Sequence, residues 1–281
     1  MTRIIGILVG LAFTGAVLIA FLTGAYTVAT EGMGAPTAEK VFHKHPREAH
    51  FASDGAFGRF DRQQIQRGYQ VYKEVCAACH SLKLVSFRNL EELGYTEAEV
   101  KAEAKSWTVP GIDPNTGEAN TRPGMATDAF PSPYANDIAA RAANNNALPP
   151  DLSLIAKARH DGANYVYSLL TGYQEQPAAL LKQFPDSKTG TGLYYNPYFA
   201  NLNIAMPPPL HSDGQVTYAD GTKASVDQMA KDVSAFLIWT AEPSLDKRKQ
   251  TGWPVLGFLL FATVLAYLAK QQVWADKKKA A

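Results

Sequence analysis

Cysteine is nearly absent. The chain of 281 residues has two, Cys76 and Cys79, too few for a disulfide-stapled scaffold. Net charge is nearly absent too: 27 Lys and Arg against 26 Asp and Glu leave +1. A chain so balanced lacks the strongly basic face on which nucleic-acid binding rests. There is no second C-x-x-C, and His43, His45, His50, His160 and His211 do not stand at helical metal-binding spacing. A four-ligand zinc site therefore has too few ligands. Internal repeats are missing, and strand signals are scarce, limited to short hairpins near 215–223. A redox-active cysteine pair of the thioredoxin type would want a βαβ setting, which this pattern does not offer.

Long apolar runs, by contrast, stand at both ends. Residues 4–29 come after a lone Arg3, and residues 253–269 precede Lys270. A helix needs about 20 apolar residues to cross a bilayer. The C-terminal run just reaches that length with Gly252 before it and Gln271, Gln272 and Trp274 after it. Lys277, Lys278 and Lys279 place the C-terminus in the cytoplasm, although Lys247, Arg248 and Lys249 on the other flank weaken that assignment. Two readings fit the N-terminal run. It is a cleaved signal peptide with a small-residue site at Thr27-Val28-Ala29, or an anchor that is kept, since its length exceeds the usual signal core of about 7–15 residues. Either one exports the middle of the chain. The expected division is a signal or anchor over 1–30, an exported domain over 31–250, a transmembrane helix over 251–272 and a basic cytoplasmic tail over 273–281.

The exported part reads as mainly helical with long loops. Residues 60–80 predict one helix with Asp61 as its cap, because Ile65, Tyr69, Tyr72, Cys76 and Cys79 recur at steps of four and three. That spacing puts both cysteines on the buried face. Residues 91–105 predict an exposed helix rich in Glu, 137–144 and 163–173 short helices, and 225–240 a clear one. The prolines and glycines of 109–133 predict a loop, and 192–210, full of aromatics and prolines, is irregular.

The sequence C-A-A-C-H at 76–80 is the signature of covalent c-type haem attachment. Two thiols that add to the haem vinyl groups become thioethers, which no longer oxidise in an exported domain. His80 then comes round beneath the ring to bind iron. The second axial ligand has several candidates. Met229 lies on the apolar side of a helix and reads as core, Met33 is near the membrane, and polar residues flank Met125. Met206 in "NIAMPPPL" is the best placed, behind aromatics that can wall a haem and ahead of three stiffening prolines; His211 is its rival. Methionine with histidine raises the iron's potential.

Several further stretches carry a family resemblance. "GRFDRQQIQRGYQVYKEVCAACHSLKLVSFRNL", "ARAANNNALPPDLSLIAKAR", "NYVYSLLTGY", "YYNPYFANLNIAMPPPL" and the C-terminal run together resemble the cytochrome c1 family, over most of 40–275. That resemblance implies a class I cytochrome c-like haem domain with long loop insertions, in which the helix before Cys76 crosses the helix over 225–240. It implies one haem c held by Cys76 and Cys79, with His80 and Met206 on the iron. Arg141 resembles the arginine near the haem propionates, with Pro149 and Pro150 lining the same edge. It further implies a dimeric complex with cytochrome b in a bacterial inner membrane, which takes electrons from a Rieske iron–sulfur protein and gives them to a cytochrome c. One departure is Asn146, where the family usually has glycine; asparagine tolerates the left-handed conformation, so the turn should survive. Loop cysteines of some bacterial members are missing. The acid-rich 91–103 either attracts a basic cytochrome c or is a solvated helix face. Two rival functions are an anchored cytochrome that feeds a terminal oxidase and a haem peroxidase with an open sixth position.

Overall fold

The structure, a computed structural model, describes residues 2–279 apart from 33 and 35. Met33, one of the candidate iron ligands, lies outside the described residues, as do Met1 and the last two residues of the expected basic tail.

The chain begins with helices α1 (Thr2–Glu31), α2 (Ala38–Phe42) and α3 (Arg62–Glu74). Two 3-10 segments, Cys76–Ala78 and Phe87–Leu93, lead to helix α4 (Glu97–Lys105) and strands β1 (Thr108–Ile112) and β2 (Ala119–Pro123). Next are helices α5 (Asp137–Ala143), α6 (Ile155–Ala158), α7 (Gly162–Leu170) and α8 (Ala178–Gln183), then a 3-10 turn at Pro185–Ser187. Strands β3 (Tyr194–Tyr195) and β4 (Asn203–Ile204) precede the last helices, α9 (Val226–Ala241) and α10 (Leu245–Lys279). The fold is mainly helical. Its sheets are two antiparallel hairpins, β1 with β2 and β3 with β4, and no βαβ unit occurs among the described residues.

The chain divides into two units. One takes residues up to 43 together with 177–188; the other takes 44–176 and 189–281. In the first, α1 is apolar and exposed on nearly every residue, with the length and composition of a membrane span. Thr37 caps α2 by accepting from the Lys40 N–H, and α2 meets α8 through Phe42 set edge-on against Phe184.

The second unit is built on the crossing of α3 and α9, as the family resemblance implied. Asp61 caps α3 by accepting from the N–H groups of Gln63 and Gln64, and Ser225 caps α9 at Gln228. At the crossing the two backbones touch. A Cβ on Gly68 would sit 2.1 Å from the carbonyl oxygen of Asp232, so only glycine lets the helices approach this closely. Beside that contact the Asp232 carboxylate is fully buried and takes hydrogen bonds from Arg67 Nε (2.9 Å), Gln64 Nε2 (3.2 Å) and Gln228 Nε2 (2.8 Å). A buried charge needs such partners, and here they also set the register of the two helices. Tyr69, Tyr72, Phe130 and Phe236 interlock on the other side of the crossing at ring distances of 5.7–6.0 Å.

Several local expectations are corrected. Helix α3 stops at Glu74, so the predicted helix over 60–80 does not carry the cysteines. The predicted loop over 109–133 contains the β1–β2 hairpin; each strand of a two-stranded ribbon is an edge, where proline is tolerated. No strand forms over 215–223, which is a chain of turns through Gly214 and Gly221. The exposed helix predicted over 91–105 begins only at Glu97, and its other face is buried through Val100 and Ala104. Helix α10 runs unbroken from Leu245, through Pro254, well past both ends of the apolar run.

Candidate haem site

The sulfurs sit on a tight turn. Beyond α3, the carbonyl of Cys76 accepts from the N–H groups of both Cys79 (3.1 Å) and His80 (2.9 Å). This curls the three residues Cys76–Ala78 into a 3-10 turn. Both cysteines are half-buried free thiols rather than fully buried on a helix face. Burial, with the neighbouring Cys79, pushes the Cys76 thiol up to about 12, so it is protonated at neutral pH.

His80 leaves this turn with its ring fixed. Nδ1 lies 2.8 Å from the carbonyl oxygen of Pro150. A carbonyl only accepts, so Nδ1 carries the proton and Nε2 keeps its lone pair. Burial lowers the His80 pKa, against the opposing pull of Pro150 and Asp151, and favours the neutral ring a metal requires. The Tyr72 hydroxyl donates to the His80 carbonyl at 3.2 Å and ties the turn back to α3.

Pro150 is held in its turn by residues that sequence reasoning missed. Asp151 accepts from Ser81 Oγ (2.7 Å) and the Lys83 N–H (2.8 Å). The Leu152 N–H donates to the Ser81 carbonyl (2.9 Å), and fully buried Ser153 accepts from the Leu84 N–H (3.1 Å). Burial alone would raise the Asp151 carboxyl, but the donors from Lys83, Ser153 and Ser81 outweigh it and hold the group below its usual range. Segments 80–84 and 150–153 are thus stitched together across some 70 residues of sequence. Only the local Asp151–Ser153 turn had a signal in the sequence.

A second wall comes from 134–146. Tyr134 places its hydroxyl 3.7 Å from Cys79 Sγ and receives a hydrogen bond from Asn144 Nδ2 at 3.0 Å. Asn145 and Asn146 both take left-handed backbone angles, φ 50° and 64°, so asparagine does carry the turn here. Arg141 is exposed, and its Nη1 donates to the Asn146 carbonyl at 2.8 Å.

Burial separates the candidate sulfur ligands. Met229 is fully buried in the core, and Met125 is 54% exposed. Met206 is half-buried and packs against the same core cluster that Cys76 and Ala77 border. Its carbonyl accepts from the Tyr173 hydroxyl at 3.1 Å, and Gln215 braces the loop beyond it through Pro209. His211 is exposed.

These donors fit haem c: two free thiols on one turn, a neutral imidazole with one nitrogen left over, and a sheltered thioether at the edge of the same core. Among the described residues no three His, Cys, Asp or Glu side chains gather to hold a bare metal ion. Two crossed helices with a C-x-x-C-H turn at the end of the first define a c-type cytochrome. Residues 51–277 match the Cytochrome C1 family, and the chain belongs to it. Cytochrome c1 of Rhodospirillum rubrum is 47% identical over 238 residues, covering 80% of this chain and 85% of that protein. Cytochrome b/c1 of Bradyrhizobium diazoefficiens is 48% identical over 79% of this chain and 34% of its own length. The mitochondrial cytochrome b-c1 complex catalytic subunit of Candida albicans is 43% identical over 94% of this chain and 90% of that protein. As a member of this family the chain carries one covalently bound haem c and is a membrane-anchored electron-transfer protein.

Proposed function

We propose that this chain is the cytochrome c1 subunit of a ubiquinol–cytochrome c reductase, working in a complex with cytochrome b. It takes electrons from a Rieske iron–sulfur protein and passes them to a cytochrome c. The names of the relatives support the complex; the site supports the electron-carrying role. When bound, haem c supplies a one-electron iron couple.

Cys76 and Cys79 hold the macrocycle as thioethers. His80, its ring fixed by Pro150 through Nδ1, would offer Nε2 to the iron, and Met206 would offer its sulfur as the second ligand. With both residues bound the iron would have no position left for a substrate, which favours electron transfer over peroxidase chemistry. Arg141 gives one of its five N–H donors to Asn146 and keeps the others for a propionate. The haem domain lies in the periplasm of a bacterium, α10 crosses the inner membrane, the C-terminus is cytoplasmic, and the complex is dimeric.

The observation that carries the ligand set is the half-burial of Met206 against the core cluster that Cys76 also borders, with the other described methionines buried in the core or open to solvent. Its test is Met206→Ala in the assembled complex. The haem stays attached, its reduction potential falls markedly, and quinol-to-cytochrome c turnover collapses. An unchanged potential would assign the sixth ligand elsewhere.

A further inference from the structure

The first turns of α10 hold a loop of the haem domain along one stripe. Asp246 accepts from the Phe60 N–H at 3.0 Å. The Lys249 ammonium donates to three carbonyls of the same loop, those of Ser53 (2.7 Å), Gly55 (2.6 Å) and Gly58 (3.3 Å). Trp253 stacks on Phe57, with ring centroids 5.0 Å apart and planes 13° from parallel. Positions 246, 249 and 253 are spaced by three and four, so they share one helix face.

The loop is rigid. Phe51 and Asp54 bond each other twice, Arg59 N–H reaches the Ala52 carbonyl at 2.9 Å, and Phe51 and Ser53 are buried. A Cβ on Gly58 would lie 2.0 Å from the Asp54 carbonyl oxygen, so the turn closes as tightly as glycine permits. Yet this fixed loop holds Phe57 out at 78% exposure. A single surface phenylalanine is ordinary. This one is stacked on the residue where the apolar surface of α10 begins, continuing through Val255, Leu256, Phe258 and Leu259, all exposed. Arg59, two residues beyond Phe57, and Lys247, in the first turn of α10, are exposed.

We propose that loop 53–59 rides in the lipid headgroup zone, with Phe57 and Trp253 as one aromatic wedge at the bilayer surface and the Asp246–Lys249 clamp fixing the haem domain at that height. The occupant of the Phe57 surface is the bilayer itself. It is continuous with the membrane-facing surface of α10, its aromatic pair matches the chemistry of the membrane interface, and its basic flank suits anionic headgroups. A flexible tether would let the haem change its distance from the membrane; three contacts along one helix face do not. The inference rests on α10 spanning the bilayer and is independent of which sulfur binds iron.

The test uses the intact complex in lipid nanodiscs. Phe57→Cys carries a nitroxide, with Asn115→Cys at the β1–β2 turn as the aqueous reference and Leu260→Cys as the reference within the span. Unmodified complex taken through the same labelling gives the background from other subunits. Power saturation with oxygen and with a water-soluble nickel chelate measures depth. The expected result at 57 is an oxygen-to-nickel accessibility ratio several-fold above that at 115 and below that at 260. A ratio equal to that at 115 overturns the proposal, because the loop is then in water. Exclusion of both reagents also overturns it, because another polypeptide then covers Phe57. A water-like signal at 260 shows instead that the spanning assignment of α10 has failed. If Phe57→Cys does not assemble, Ala56→Cys gives the same readout with the aromatic pair intact.

Discussion

The placement of His80 depends on one backbone oxygen. The Pro150 carbonyl selects the tautomer and orients the ring, and Asp151 and Ser153 hold that carbonyl in reach. Proline at 150 removes a backbone donor and fixes one torsion, which suits a residue whose useful group is its carbonyl. The loop that carries Met206 has an analogous tie, from the Tyr173 hydroxyl to the Met206 carbonyl. Tyr173→Phe deletes that donor and little else. The loss of one hydrogen bond costs about 1 kcal/mol, a shift of roughly 2–4 °C in thermal midpoint for a domain of this size. With Met206 on the iron, as proposed, the loosened loop should also let carbon monoxide bind the reduced haem more readily than in the unaltered protein. A lower midpoint without carbon monoxide binding would make Tyr173 structural only.

Among the elements, α3 does three tasks. Gly68 and Gln64 meet α9, Tyr72 supports the haem turn, and Tyr69 and Lys73 reach α4. The last contact centres on Glu103, which accepts from Tyr69 (2.6 Å), Trp107 Nε1 (2.8 Å) and Lys73 (2.8 Å). The sequence pattern had placed Glu103 on a solvated face; its partners come from α3 and from just beyond α4, and only one of them is near in sequence. Burial raises the Glu103 pKa, but Lys73, Tyr69 and Trp107 together outweigh it, so the carboxyl titrates below its usual value. A folded-state pKa below the unfolded one adds stability that is complete above the ordinary glutamate value of about 4.3 and is lost as the pH falls through the lower folded value. Thermal midpoints measured from neutral pH into that acid window should therefore fall less steeply for Glu103→Gln than for the unaltered protein. Parallel curves would remove Glu103 from the acid response.

For the whole molecule, the rivals differ in company. A subunit of a quinol-oxidising complex should leave native membranes, in mild detergent, with b-type haem bands beside the c-type band in a reduced-minus-oxidised spectrum, and the ratio should hold through further purification. A c-type band alone would favour the anchored cytochrome that feeds an oxidase. What could be read directly from the residues divides along the range of the interactions. The haem motif, the cap of α3, the two apolar runs and the left-handed asparagine turn depend on neighbours within a few positions, so they were legible in the order of residues. The end of α3 at Glu74 was not, because the apolar spacing continues unbroken into a turn that the Cys76 carbonyl closes. The Pro150 bond to His80, the tie between Tyr173 and Met206, and the clamp from Lys249 to loop 53–58 join residues 70, 33 and more than 190 positions apart. No periodicity carries such pairings; they exist only once the helices have packed and brought a donor to its acceptor.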